Sequence, residues 1–370
     1  MSTPPSHPRD RRLRPVLATV AASVLLLTAA CAEGEATDEA PEITSVIDEE
    51  RCETNRAAGT VTYITGYQYQ ASVSILEAVA ADALGYFEAV CLDVEIQPGS
   101  GDTIGNSQLV SAGTAHFTSL GNEAEVLQAN DAGHDVIGIA TYGHVPIASL
   151  LTGTGIEALE DLEGTTLGHK GMLPAPLEAM LVADGVDLDS IEIVEVGYDP
   201  SVLPRDQVQA LTAFRSNEPF LLSDMDEDYN EWLPEDYGVV GSFGVMAANP
   251  EWAKENPTVV EDYLRALSQA FSYCQENGEE CVGYAAELAE AGYDVDHNLR
   301  IWNSEQELVN ASTPDDATVG YIDLTLTEAE GRTLVDNGQL DEMPDVEPLF
   351  DPRYLEAVHV ASEVTWTGGE

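Results

Sequence analysis

Short β-prone runs alternate with amphipathic helical stretches along most of this 370-residue chain, and that alternation is the strongest limit on its fold. Residues 60–64 read as a strand and 66–70 as a loop. Ser72 opens a predicted helix whose apolar residues Ile75, Leu76, Val79, Ala80 and Ala83 recur at helical spacing, with Gly85 to end it. Strands follow at 92–96, 115–120 and 136–142, with helices over 104–111 and 123–129. A second unit repeats the rhythm: strand 165–168, helix 176–184, strand 191–196, helix 205–210, strand 213–215. Residues 239–247 are apolar enough for a buried strand. The remainder is helix-rich, with helices predicted over 258–274, 282–291 and 327–336. This order predicts an α/β architecture with largely parallel sheets, and the length suits two lobes.

The first 30 residues have the order of a secretory signal. Arg9, Arg11, Arg12 and Arg14 precede an uncharged, mostly apolar run from Pro15 to Ala30, too short to span a bilayer comfortably. Leu27-Thr28-Ala29-Ala30-Cys31 resembles a bacterial lipobox, which implies lipidation of Cys31 and a lipid-anchored chain on the outer face of the cell membrane. An ordinary cleaved signal would place the chain in the same compartment. Residues 31–57 are acidic and poor in aromatics, as expected of a flexible tether.

Charge narrows the partners. The chain has 67 acidic and 14 basic side chains, a net charge of −53, and its lysines are only Lys170 and Lys254. So few cations leave little to neutralise phosphates, which excludes nucleic-acid binding through a basic surface. So acidic a chain repels itself in dilute buffer and is screened by salt, as suits a saline or alkaline habitat. Cys52, Cys91, Cys274 and Cys281 form an even set in an oxidising compartment and allow three pairings. Cys274 and Cys281 flank a predicted turn and are expected to pair, leaving Cys52 with Cys91. Their spacing is not that of a zinc site, and no metal or cofactor is expected.

Several segments, in order, resemble a known family. Residues 81–87 (Ala-Asp-Ala-Leu-Gly-Tyr-Phe) followed by 92–96 (Leu-Asp-Val-Glu-Ile) are similar to the opening of solute-binding proteins for ABC importers. Residues 110–117 are similar to a later segment of those proteins, with His116 where Asp is usual. Residues 159–168 resemble the step into their second lobe. Residues 207–210 and Asn217-Glu218-Pro219 resemble the subgroup named for thiamine-pyrimidine synthesis, with Gln209 in place of the usual Asp. Residues 255–266 are similar to the helix after the return crossover.

The resemblance implies a type II periplasmic-binding-protein fold. Lobe 1 would hold residues 58–143 plus 247–370 and lobe 2 residues 150–240, with hinge crossovers at 144–149 and 241–246. It further implies a monomer that captures a small solute and delivers it to a membrane permease served by a separate ATPase subunit.

In open α/β sheets ligands bind beyond the carboxyl ends of the strands, so the loops there supply the candidate site. Tyr67, Gln68 and Tyr69 follow the first strand and suit stacking on a flat ring. Asn122 and Glu123 follow the strand at 115–120, and Tyr142 and His144 sit at the first crossover. His169 and Lys170 follow the first strand of lobe 2. Asn217 and Glu218 follow the strand at 213–215, where a carboxylate suits an amino-substituted heterocycle. Each has a plainer use as well: exposed loop tyrosines, a helix cap at Asn122 or Asn217, a structural His144, a solvated Lys170. Tyrosines together with Glu218 favour a heteroaromatic solute related to the thiamine pyrimidine; riboflavin-like, nitrate and sulfonate ligands are the alternatives. A pyrimidine-synthesis enzyme of the same subgroup is the rival class. It is disfavoured because the chain lacks a clustered cysteine run and has only two lysines for a Schiff base.

Overall fold

A computed structural model describes residues 45–289, 291–360 and 363–366. The predicted signal, Cys31 and most of the predicted tether lie outside the described residues. The first part of the described chain runs α1 (Glu49–Ala57), β1 (Thr60–Ile64), β2 (Tyr67–Gln68), α2 (Leu76–Ala83), α3 (Tyr86–Ala89), β3 (Asp93–Gln97), β4 (Gly99–Ser100), α4 (Thr103–Ser111), β5 (Phe117–Leu120), α5 (Glu123–Asp131) and β6 (Ile137–Gly143). The chain then crosses to β7 (Ala148–Gly153), β8 (Thr166–His169), α6 (Ala175–Ala183), β9 (Glu192–Glu195), β10 (Ala210–Phe214), α7 (Glu218–Asp224) and β11 (Tyr229–Trp232). It returns in β12 (Phe243–Ala248) and closes with α8 (Pro250–Glu255), α9 (Pro257–Glu276), α10 (Gly278–Leu288), α11 (Val295–Ser312), α12 (Leu324–Asp336), α13 (Arg353–Glu356) and the short pair β13 (His359–Val360) and β14 (Glu363–Val364).

Two five-stranded sheets result, ordered β3-β1-β5-β12-β6 and β11-β7-β10-β8-β9. The first belongs to lobe 1 and the second to lobe 2. In each, the strands linked by helices pair in parallel, β3-β1-β5 and β10-β8-β9. The strands that follow the crossovers, β7 and β12, pair antiparallel with their neighbours. This is the fold class that the strand–helix alternation predicts.

Acidic side chains place many helix starts. Asp48, Asp102, Asp294 and Asp323 each accept a first-turn N–H at the head of α1, α4, α11 and α12. Ser72 caps nothing with its side chain, contrary to expectation. Ser74 takes a left-handed φ of 70°, and its N–H is taken by Glu77 Oε1, 2.7 Å away, reaching back from the first turn of α2.

Lobe 1 packs around a stack of rings. Tyr263 of α9 lies parallel to Phe117 of β5 at 4.1 Å and to Phe87 of α3 at 5.4 Å, so a helix from the tail seals the first sheet. His116 has a structural use: its Nδ1 accepts from Thr62 N at 2.9 Å and its ring lies 4.4 Å from Trp252. Gln209 likewise accepts from Thr166 N, tying β10 to β8.

Two expectations are corrected. Residues 49–57 are helix α1 rather than tether: Arg51 and Asn55 donate to Asp262 of α9 at 2.6 and 2.7 Å, and Cys52 is bonded to Cys91. Residues 205–210 form no helix, because Pro204 precedes Asp206 at a left-handed φ of 58°. Phe243–Met246 are strand, buried between β5 and β6, as the apolar run at 239–247 predicts. Helix α11 was not anticipated at all. Cys274 and Cys281 are joined across the α9–α10 turn.

Candidate functional site

The segment after β1 of lobe 1 and the loop after β9 of lobe 2 meet at the carboxyl ends of those strands. Tyr67, after β1, lies against Tyr198, after β9, with ring centroids 5.7 Å apart and planes inclined by 32°. Both rings keep much of their surface open, at 39% and 58% exposure. Two close approaches shape this mouth. Gly99 passes so near Thr65 that a Cβ there would lie 1.9 Å from its carbonyl oxygen. Gly101, at φ +94°, lets both tyrosines close over the turn.

Lobe 2 contributes a buried ion pair. Lys170 Nζ, just past β8, is bonded to Glu218 Oε1 at the start of α7. Glu218 Oε2 also accepts from Phe214 N at 2.8 Å, and Asn217 Nδ2 donates to Oε1 at 3.2 Å. The ammonium sits 5.6 Å from the centre of the Phe214 ring, whose face is half exposed. Glu218 is therefore neutralised from within its own lobe.

The flanks of the cleft are bridged by the helical tail. On one side α11 reaches lobe 2: Ser216 Oγ donates to Glu305 Oε1 at 2.8 Å, His297 Nε2 bonds Asn217 Oδ1 at 2.7 Å, and Arg300 pairs with Asp224. Burial holds the His297 imidazole below its ordinary pKa. On the other side Asn337 Nδ2 donates to Ala175 O at 3.1 Å and Gln339 Nε2 to Glu178 Oε2 at 2.7 Å. The two lobes are thus closed upon each other.

The candidate residues divide sharply. Lys170, Asn217 and Glu218 are joined by hydrogen bonds in lobe 2, and Tyr67 lies against Tyr198. Gln68 is exposed beside Tyr67, and Tyr69 turns its ring toward the lobe 1 core while its carbonyl accepts from Tyr293. His169 ends β8, half buried. Asn122 caps α5, accepting from Glu125 N at 3.0 Å. Glu123 is wholly buried and accepts from Thr141 Oγ1 at 2.7 Å and Thr327 Oγ1 at 2.6 Å, so its carboxyl faces the interior. Tyr142 lies in the core beside Phe271, and its phenol is held above the usual range by burial and by Glu77. His144 stacks on Tyr321 at 3.9 Å and bonds its carbonyl, and burial pushes its imidazole down to about 4.

Two groups escaped sequence reasoning. Tyr198 follows strand β9, so the rule that picked Tyr67 would have found it, whereas Phe214 is the last residue of β10 and lies inside the predicted strand. His297 and Glu305 lie on the unanticipated α11, whose Asp294 cap and buried Ile301, Trp302 and Val309 at helical spacing were the available signal.

A family model described as NMT1/THI5 like matches residues 73–281. The chain belongs to the NMT1/THI5-like family. No curated protein matches the sequence. Among solved structures, this NMT1/THI5-like chain is similar to the alkanesulfonate-binding protein SsuA from Xanthomonas axonopodis pv. citri bound to MOPS. The TM-score is 0.60 at 15% identity, over 79% of this chain and 97% of that one. The periplasmic aliphatic sulphonate-binding protein SsuA from Escherichia coli scores 0.59 at 13% identity, over 78% and 91%. A mutant of DszB in complex with biphenyl-2-sulfinic acid scores 0.55 at 14% identity, over 80% and 98%. At such identities the likeness establishes the periplasmic-binding-protein fold for this family member.

Proposed function

We propose that this chain is an extracytoplasmic solute-binding protein of an ABC importer, one that captures a small heteroaromatic solute between its lobes and delivers it to a membrane permease. The observation that carries the reading is Tyr67 of lobe 1 meeting Tyr198 of lobe 2 at the closed cleft. A flat ring admitted when the lobes part would meet an aromatic face from each lobe as they close again, so closing on the solute and stacking on it are one event. Phe214 adds a third open aromatic face.

The charges of lobe 2 support a ring over an anion. Lys170, Arg205 and Arg215 are each already paired, with Glu218, Asp199 and Glu235. A carboxylate already offsets each of these charges, which weakens their pull on a nitrate or sulfonate. The same pairing removes Glu218 as a free acceptor, so the preference for a thiamine-pyrimidine-like or flavin-like solute rests on the tyrosines. Sulfonates remain the second reading, since SsuA proteins share the fold. An enzyme is favoured only by the fold it shares with DszB; among the described residues every cysteine is engaged in a disulfide.

Thermal-shift screening of the full chain against pyrimidines, thiamine, flavins, nitrate and alkyl sulfonates tests the reading. A true solute at a hundredfold excess over its Kd stabilises by about 2.7 kcal/mol. Tyr67→Ala and Tyr198→Ala should each weaken binding of that solute about three- to tenfold, the usual worth of an aromatic pair. A response to nitrate or sulfonates alone would overturn the solute class.

The chain would work as a monomer held by lipid on Cys31, beside its permease and the separate ATPase subunit. Among the described residues no helix is long and apolar enough to cross a membrane. The anchoring predicts that the chain partitions into detergent when made in a bacterial host and that Cys31→Ala leaves it in the aqueous phase; equal partitioning would refute it.

A further inference from the structure

Helix α11 of the tail grips a strand-end loop from each lobe at the same time. Its Glu305 is almost fully buried and uses both carboxyl oxygens. Oε2 accepts from Val73 N at 2.8 Å, in the β1–α2 loop of lobe 1, which also carries Tyr67. Oε1 accepts from Ser216 Oγ at 2.8 Å, in the β10–α7 loop of lobe 2, which also carries Asn217 and Glu218. Two turns earlier, Asn298 Oδ1 accepts from Ala71 N at 3.0 Å, and His297 bonds Asn217. α11 packs on α10 and β6, so it moves with lobe 1.

Opening the lobes would break the Ser216–Glu305 bond, buried in the closed chain, together with the His297–Asn217 and Arg300–Asp224 pairs of the same helix. The opposite flank differs in kind: Gln339 and Glu178 are partly exposed, and water replaces their bond when it opens. The resistance to opening is therefore concentrated at α11.

We infer that Glu305 is a positioning residue that latches the closed state, coupling the order of the Tyr67 loop in lobe 1 to the seating of the Asn217–Glu218 loop in lobe 2. This rests on the two-lobed capture reading above, but its readout needs no solute. A glutamine in its place keeps both links: its Oε1 accepts from Val73 N, and its amide donates to Ser216 Oγ, which rotates to accept. An alanine loses both, and Ser216→Ala loses only the link between lobes.

The experiment measures the distance between spin labels on Leu109→Cys of α4 and Val182→Cys of α6, both exposed, in the solute-free full chain carrying Cys31→Ser. The expected result is one short distance in the parent chain. In Ser216→Ala and Glu305→Ala the open fraction should rise about tenfold, as for loss of a buried hydrogen bond, and Glu305→Gln should match the parent. Gln339→Ala serves as the control and should shift the balance far less. Should Glu305→Ala fail to fold, Ser216→Ala and Glu305→Gln decide. An open parent chain, an unshifted Ser216→Ala, or a Glu305→Gln as open as Ser216→Ala would each overturn the inference. A failed solute screen beside a working latch would count against the transport reading alone.

Discussion

Glu77, Glu123, Glu305 and Glu330 bury their carboxyl groups in lobe 1 or at its edge. Burial is the leading cause that raises each above the usual carboxylate range, to about 7 for Glu77 and Glu305. Glu123 and Glu330 repel one another as well, which pushes Glu330 up further. Between the ordinary value of 4.5 and about 7, the folded chain holds protons that the unfolded chain has released. Stability from these groups is thus full below about pH 4.5 and falls as pH rises through 7. In molar salt, which screens the surface, the melting temperature should decline from about pH 5 to about pH 8. Glu77→Gln removes one such titration while keeping an acceptor for Ser74 N. It should flatten the decline and melt higher than the parent at about pH 8; equal slopes in the two chains would remove Glu77 from this account.

Among the helices, α1 shows how an acidic, polar stretch that reads as tether becomes structure. Alone its pattern is weakly amphipathic; what orders it is Asp262 of α9, whose buried carboxylate gathers Arg51, Asn55 and Arg265, together with the Cys52–Cys91 bond. The two disulfides should differ in worth. Closing a 39-residue separation restricts the unfolded chain by about 4 kcal/mol on loop entropy, against about 2 kcal/mol for the 7-residue separation of Cys274–Cys281. Denaturant titration of the two double-alanine variants should show the larger loss for Cys52 and Cys91. The reverse order would mean that the α9–α10 turn is held mainly by its cross-link. Helices with an apolar stripe, such as α2, α9 and α12, were legible from sequence. The predicted helix at 205–210 had the composition but not the backbone freedom, and α11 was hidden because its buried face carries Glu305 and Asn298 among its apolar residues.

The whole molecule carries a net charge of −53, and the described ion pairs engage only some of its acidic groups. Self-repulsion on that scale destabilises a compact state, and counter-ions relieve it. The melting temperature should therefore climb on going from dilute buffer to molar salt at neutral pH, and a flat response would end the argument for a saline or alkaline setting.

Local periodicity and motif order in the chain determined the α/β class, the two-lobed family fold and the division into strand-end loops, because those depend on short spacings along the chain. Only the closed tertiary structure decided which loop residues face each other. Tyr67 meets Tyr198 from far along the chain, Lys170 cancels Glu218, Glu305 joins Val73 to Ser216, and Glu123 and Tyr142 turn inward. These pairings follow from how two sheets and a helical tail close on one another, and no local pattern encodes that geometry.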